Sequence, residues 1–115
     1  MIHVAVIGAG AISPAHIQAY LQFPQQCRIV AICDIYPEKA QQRANEFQLD
    51  VDIYANYSEL LQRSDIDLVS VCTPPYTHAE TAIAFLNAGK HVIVEKPMAS
   101  SLEECDRMNE AAEQS

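Results

Sequence analysis

Three groups of residues have types and spacings that suit chemistry. Glu95 and Lys96 close the apolar run Val92–Glu95, Asp34 follows the apolar run Ile29–Cys33, and Gly8 and Gly10 follow the run His3–Ile7. A lysine at the end of a strand can stabilise a developing alkoxide or pass a proton, whereas most lysines are solvated surface groups. A carboxylate at the end of a second strand can accept hydrogen bonds from ribose hydroxyls. The plainer reading of Asp34 is a lead-in to a helix starting at Pro37.

The glycine pair carries the most information because the chain has only 3 glycines. In Gly8-Ala9-Gly10-Ala11-Ile12-Ser13 the first glycine permits a sharp turn, and the second lets a diphosphate approach the backbone without meeting a Cβ. Ala11, Ile12 and Ser13 would open a helix whose free amides and positive dipole end face the anion. Ser13 stands where a third glycine is usual, and it is small enough to keep the helix close to the strand. Its hydroxyl is a second candidate phosphate donor.

A glycine pair at a strand-to-helix corner is often only a turn, but Asp34 follows at close to the ~20-residue spacing of a ribose-binding carboxylate. That carboxylate also repels a 2′-phosphate, and Ile35, Tyr36 and Pro37 bring no cation to hold one, so NAD is preferred over NADP. Thr73-Pro74-Pro75 forms a stiff corner with one hydroxyl and two positions lacking an N–H, suited to the edge of a nucleotide. Taken alone it reads as a plain loop before a helix.

Positioning these groups requires strands that end together. His3–Ile7, Ile29–Cys33, Leu68–Cys72 and Val92–Glu95 are short, β-branched-rich and nearly continuously apolar, as strands covered on both faces are, and Asp52–Tyr54 is a weaker fifth. Helical patterns lie between them: Ile12, Ala15, Ala19 and Phe23; Ala40, Ala44 and Phe47; Ala79, Ala82, Ile83 and Leu86; Leu102, Cys105, Met108 and Ala112. Thr77 with Glu80, Asn56 with Glu59 and Ser100 with Glu103 read as capping boxes, and Gly89 as a left-handed helix end. This alternation predicts an α/β fold, a doubly wound parallel sheet of strand order 3-2-1-4-5 with helices on both faces.

Composition narrows the partners. A net charge of -8 repels polyanions, so nucleic acid is not expected. No apolar run approaches the ~20 residues of a membrane span, and Met1 leads straight into a strand without a signal sequence, which reads as a cytoplasmic protein. The 4 cysteines are scattered, with no histidine cluster to complete a metal site, and read as reduced core residues.

Together, the glycine turn with His16, Asp34, Thr73-Pro74-Pro75 with His78, and Ala88-Gly89-Lys90-His91-Val92 leading to Glu95-Lys96-Pro97 resemble the Gfo/Idh/MocA family of dehydrogenases. The resemblance spans essentially the whole chain, and its motifs occur in order. It implies that residues 1–115 are a dinucleotide-binding Rossmann domain. Gly8, Ala9, Gly10, Ala11, Ile12 and Ser13 would then lie at the pyrophosphate and Asp34 with Ile35 at the adenosine ribose. Thr73, Pro74 and Pro75 would take the nucleotide's other edge, and Glu95, Lys96 and Pro97 the nicotinamide side.

The resemblance makes Lys96 the catalytic residue of hydride transfer between the nicotinamide and a sugar, inositol, diol or related substrate, while His16 and His78 are read as packing or local hydrogen-bonding residues. It also implies a second, largely antiparallel domain that shapes the substrate pocket, absent from these 115 residues, and a homo-oligomeric full-length protein. On that basis the sequence is expected to bind the dinucleotide but not to catalyse alone. The alternative is a stand-alone nucleotide-binding or NAD-sensing module without chemistry. A methyltransferase-like domain also uses glycines after its first strand and an acid after its second, but offers no role for Glu95-Lys96-Pro97.

Overall fold

A computed structural model describes residues 1–96 and 98–115. Five parallel strands, β1 (Ile2–Ile7), β2 (Cys27–Cys33), β3 (Asp52–Tyr54), β4 (Leu68–Val71) and β5 (His91–Val94), form one sheet of order β3-β2-β1-β4-β5. The expected order holds, the weak fifth strand included. The connecting helices are α1 (Ser13–Leu21), α2 (Pro37–Glu46), α3 (Ser58–Leu61) and α4 (His78–Asn87), with α5 (Leu102–Gln114) after β5.

The period-2 alternation of β1 divides the core. Val4 and Val6 point to one face and Ala5 and Ile7 to the other. Val6 joins Ile17 of α1, Ile32 of β2 and Ala40 and Ala44 of α2, while Ala5 and Ile7 join Leu60 of α3, Val69 of β4 and Phe85 of α4. Helices therefore cover both faces of a sheet whose central strand is buried along most of its length. The α5 helix packs on α4, burying Met108 against Ala79 and Ala82.

Two helices turn a different face inward from the one their apolar patterns suggest. On α1 the buried residues are Ser13 and Ile17, while Ala15, Ala19 and the flanking Ile12 and Phe23 are exposed. Ile17 packs into the apolar cluster with Val6 of β1 and Ile29 and Ile32 of β2, and Ser13 is held inward by its hydrogen bonds to the Gly10 carbonyl, which together set the rotation of the helix. On α5, Met108 and Ala111 are buried, and Leu102 and Ala112 are exposed.

The caps differ in detail as well. Ser101, one residue beyond the expected Ser100, caps α5 by accepting from the Glu104 amide at 3.2 Å, and Glu104 returns a bond to the Ser100 amide. Thr77 caps nothing, because its hydroxyl donates to the Pro74 carbonyl at 2.7 Å. Asn56 accepts from the Ser58 amide, closing a single turn ahead of α3. Gly89 has φ +81°, and the Gly89 and Lys90 amides return to the carbonyls of Leu86 and Phe85, a Schellman ending for α4.

Candidate functional site

All five strands point their carboxyl ends to one edge of the sheet, where doubly wound folds bind ligands. A cleft of about 860 Å³ opens there between the turns that follow β1, β2, β3 and β4. Gly8, Gly10 and Ala11 form one wall, Asp34 and Ile35 the next, and Thr73 and Pro74 the wall opposite. Among the described lining residues, only Asp34 and Lys39 are charged.

Gly8 and Gly10 serve different needs. Gly8 has φ +97°, and a Cβ there would lie 2.9 Å from the Cys72 carbonyl carbon and the Thr73 nitrogen, so the strand end tolerates nothing larger. A Cβ on Gly10 would meet no atom within 4 Å, because that side faces open cleft. The amides of Gly10, Ala11 and Ile12 donate to no described residue, and no side chain caps α1. Unpaired donors at a helix start beside empty space fit an anion such as a diphosphate.

Asp34 is held from two sides: Oδ2 accepts from the Ala9 amide and Oδ1 from the Tyr36 amide, each at 2.8 Å. The Gly8 amide meanwhile donates to the Cys33 carbonyl at 2.7 Å. The glycine turn and the end of β2 are thus one hydrogen-bonded unit, with the carboxylate fixed at the cleft wall. Ala9 contributes to this unit and is itself buried.

Ser13 lies outside the cleft. It is fully buried, and its hydroxyl donates to the Gly10 carbonyl at 2.8 Å, so it braces the turn and is not aimed at a phosphate. Ile12 is exposed at the helix start, Pro75 opens the short 3₁₀ turn Pro75–Thr77, and neither lines the cleft. His78, nearly fully buried, bonds the Thr73 carbonyl at 2.7 Å and holds the proline corner in place.

The end of β5 is arranged differently. Glu95 Oε1 lies 2.5 Å from Nε2 of His16 on α1, and this hydrogen bond holds the Glu95 carboxyl below its usual range. Lys96 is exposed, neither Glu95 nor Lys96 lines the cleft, and Pro97 lies outside the described residues. The buried lysine of the Gly89-Lys90 segment has a different use: its ammonium donates to the carbonyls of Arg63 and Ile66 at 2.7 and 3.0 Å, tying the approach to β5 to the loop before β4.

The cleft also holds residues that sequence reasoning passed over. Tyr36 and Lys39 stand beside Asp34, with the Lys39 ammonium 5.0 Å from the Tyr36 ring centroid, and Asn56 and Tyr76 extend the cleft towards β3 and α4. Lys39 sits one helical turn into α2, just beyond Ile35-Tyr36-Pro37, and the helix spacing was the available signal for it. Cys33 and Cys72 also touch the cleft, but burial pushes both thiols up to about 12, so they stay protonated packing residues. Among the described residues no cluster suits a metal ion and no helix is long and apolar enough to cross a membrane.

Comparison with known proteins agrees with this fold. Residues 2–115 match the model of the oxidoreductase family with an NAD-binding Rossmann fold. Inositol 2-dehydrogenase of Klebsiella pneumoniae is 36% identical over 108 residues, which cover 94% of this chain and 32% of that protein. The WlbA dehydrogenase of Bordetella pertussis, solved with NADH and UDP-GlcNAcA, superposes with a TM-score of 0.90 at 34% identity, over 98% of this chain and 33% of that one.

A 3-ketoreductase of Actinomadura kijaniata, solved with TDP-benzene and NADP, gives a TM-score of 0.86 at 30% identity, over 98% of this chain and 35% of that one. The chain spans about a third of the length of each of these proteins. The sheet order, the free amides beside Gly10 and the family match over residues 2–115 lead to one conclusion: this chain belongs to the Gfo/Idh/MocA oxidoreductase family, as its NAD-binding Rossmann domain.

Proposed function

We propose that this chain holds NAD in the cleft at the carboxyl edge of its sheet, and that the whole protein is a dehydrogenase acting on a polyol or sugar-like hydroxyl or carbonyl. The observation that carries the reading is the juxtaposition of unpaired amides at Gly10, Ala11 and Ile12 with the fixed carboxylate of Asp34. The amides would hold the diphosphate, Asp34 the adenosine ribose hydroxyls, and Thr73 and Pro74 the opposite edge of the nucleotide. The bound nicotinamide supplies hydride exchange.

Lys96, one residue beyond the strand-end Glu95, would meet the substrate oxygen, donating a hydrogen bond and holding a proton at Nζ. Glu95 is tied to α1 through His16 and so keeps the strand end that carries Lys96 against the glycine turn. A further domain would supply the opposite wall and the second proton-transfer group. The sugar-nucleotide and inositol relatives support this substrate class. The 4 free cysteines suit a reducing, cytoplasmic compartment, and the whole protein would be a homo-oligomer.

Calorimetry of this chain with NAD, NADP and S-adenosylmethionine tests the reading. NAD should bind more tightly than NADP, because Asp34 repels a 2′-phosphate, and S-adenosylmethionine should give no heat. In Asp34→Asn the NAD advantage should shrink about tenfold, the order of one charge-assisted hydrogen bond. Tighter binding of NADP by the unaltered chain would overturn the preference, and binding of S-adenosylmethionine alone would overturn the function.

A further inference from the structure

Arg43, which lies behind the glycine turn and does not line the cleft, makes three directed contacts. From the last turn of α2 its Nε donates to the Ala9 carbonyl at 3.2 Å and its Nη2 to the Gly10 carbonyl at 3.2 Å, while Nη1 pairs with Glu46 at 2.8 Å. The Gly10 carbonyl also accepts from the Ser13 amide and hydroxyl, at 3.1 and 2.8 Å. Two successive carbonyls of the turn are therefore drawn away from the cleft towards α2.

A trans peptide unit is planar, with its C=O and N–H pointing in opposite directions. The Ala9 carbonyl shares its plane with the Gly10 amide, and the Gly10 carbonyl shares its plane with the Ala11 amide. Fixing these carbonyls on the α2 side turns both amides the opposite way. Gly10 and Ala11 are cleft-lining residues whose amides donate to no described residue.

We propose that the forked guanidinium of Arg43 is a positioning residue for the cofactor's diphosphate, setting two peptide planes so that the Gly10 and Ala11 amides converge on the anion. The inference rests on the NAD reading above and deepens it. A guanidinium suits the task because its donors lie in one rigid plane and span two acceptors, whereas a lysine ammonium is a single point on a flexible stem. Arg43 also holds positive charge behind the turn in a strongly acidic chain.

Three forms of the 115-residue chain, unaltered, Arg43→Lys and Arg43→Met, would be compared by calorimetry with NAD and ADP and by amide NMR without ligand. Both variants should bind NAD and ADP about tenfold more weakly, with lysine no better than methionine, the order expected for one lost charge-assisted contact. In both, the Gly10 and Ala11 amide resonances should shift in the free protein while that of Gly89, at the far end of the sheet, stays in place. Glu46→Gln, a surface change that frees only Nη1, should move the same readouts in the same direction by less than about twofold.

Variants that bind NAD as the unaltered chain does would overturn the inference, as would full rescue by lysine, which would reduce Arg43 to a charge. Displacement of Gly89 along with Gly10 would show a general structural loss and overturn it too. Failure of the unaltered chain to bind NAD would instead overturn the cofactor reading beneath it.

Discussion

The two ends of the carboxyl edge of this sheet are built to different standards. Around β1 and β2 the turn is densely bonded: Asp34 takes two backbone amides, Ser13 and Arg43 hold carbonyls, and the amides of Gly10, Ala11 and Ile12 donate to no described residue. At the end of β5, among the described residues, the hydrogen bond of His16 to Glu95 ties the strand to α1, and Lys96 stands exposed beyond it. The first region is organised in this chain alone. The second is less organised: Lys96, proposed above to meet the substrate oxygen, has its side chain exposed and outside the cleft.

The contrast can be broken most forcefully at Lys96. Lys96→Ala in the full-length protein should lower turnover about 10²–10⁴-fold, the range of general acid–base contributions. The same change in this chain should leave NAD affinity within about threefold and stability within about 0.5 kcal/mol, as for an exposed side chain. Steady-state kinetics and calorimetry read the two effects, and turnover equal to wild type would remove Lys96 from the chemistry.

Next in size is the difference between the two turn glycines. Gly8→Ala should cost about 3 kcal/mol of stability in urea unfolding, since it combines a positive φ with a backbone clash. Gly10→Ala should unfold within about 0.5 kcal/mol of the original chain, yet bind NAD about tenfold or more weakly, because its methyl enters only the space an anion would use. NAD affinity in Gly10→Ala equal to that of the unaltered chain would show that this side of the cleft plays no part in binding.

The smallest effect lies in the His16–Glu95 link. Glu95 is held below the ordinary carboxylate range by its hydrogen bond to His16, so the link contributes above the unfolded pKa and is lost as pH falls through the lower, folded one. A carbon-13 titration of Glu95 should give a midpoint below that of free glutamate, returning to the ordinary range in His16→Ala. An unshifted midpoint in the unaltered chain would mean that the link does not persist in solution.

Much of this site was legible in the sequence because its chemistry is local. Gly8, Gly10 and Asp34 are marked by their position at strand ends, and the strand ends are marked by apolar runs that only a doubly covered parallel sheet accommodates. Ser13, Lys39 and Arg43 were misread or missed for a shared reason, since their roles depend on which way a helix is rotated and what lies across from it. The apolar pattern of α1 pointed to Ile12, Ala15 and Ala19, but packing of Ile17 on the sheet and the bonds of Ser13 to the Gly10 carbonyl put those two on the buried face. Lys90 belongs to a recognisable motif, yet only the packed structure shows it donating to two carbonyls away from the cleft.

The sequence by itself determined the strand order, the placement of the glycine turn and the carboxylate after β2, because periodicity, glycine economy and right-handed crossovers constrain these without knowledge of distant contacts. Tertiary structure alone decided that the Ser13 hydroxyl braces the turn, which cation supports the turn and which histidine holds β5. Those outcomes depend on hydrogen bonds between residues far apart in the chain, whose partners come within reach only when the sheet and its helices have packed.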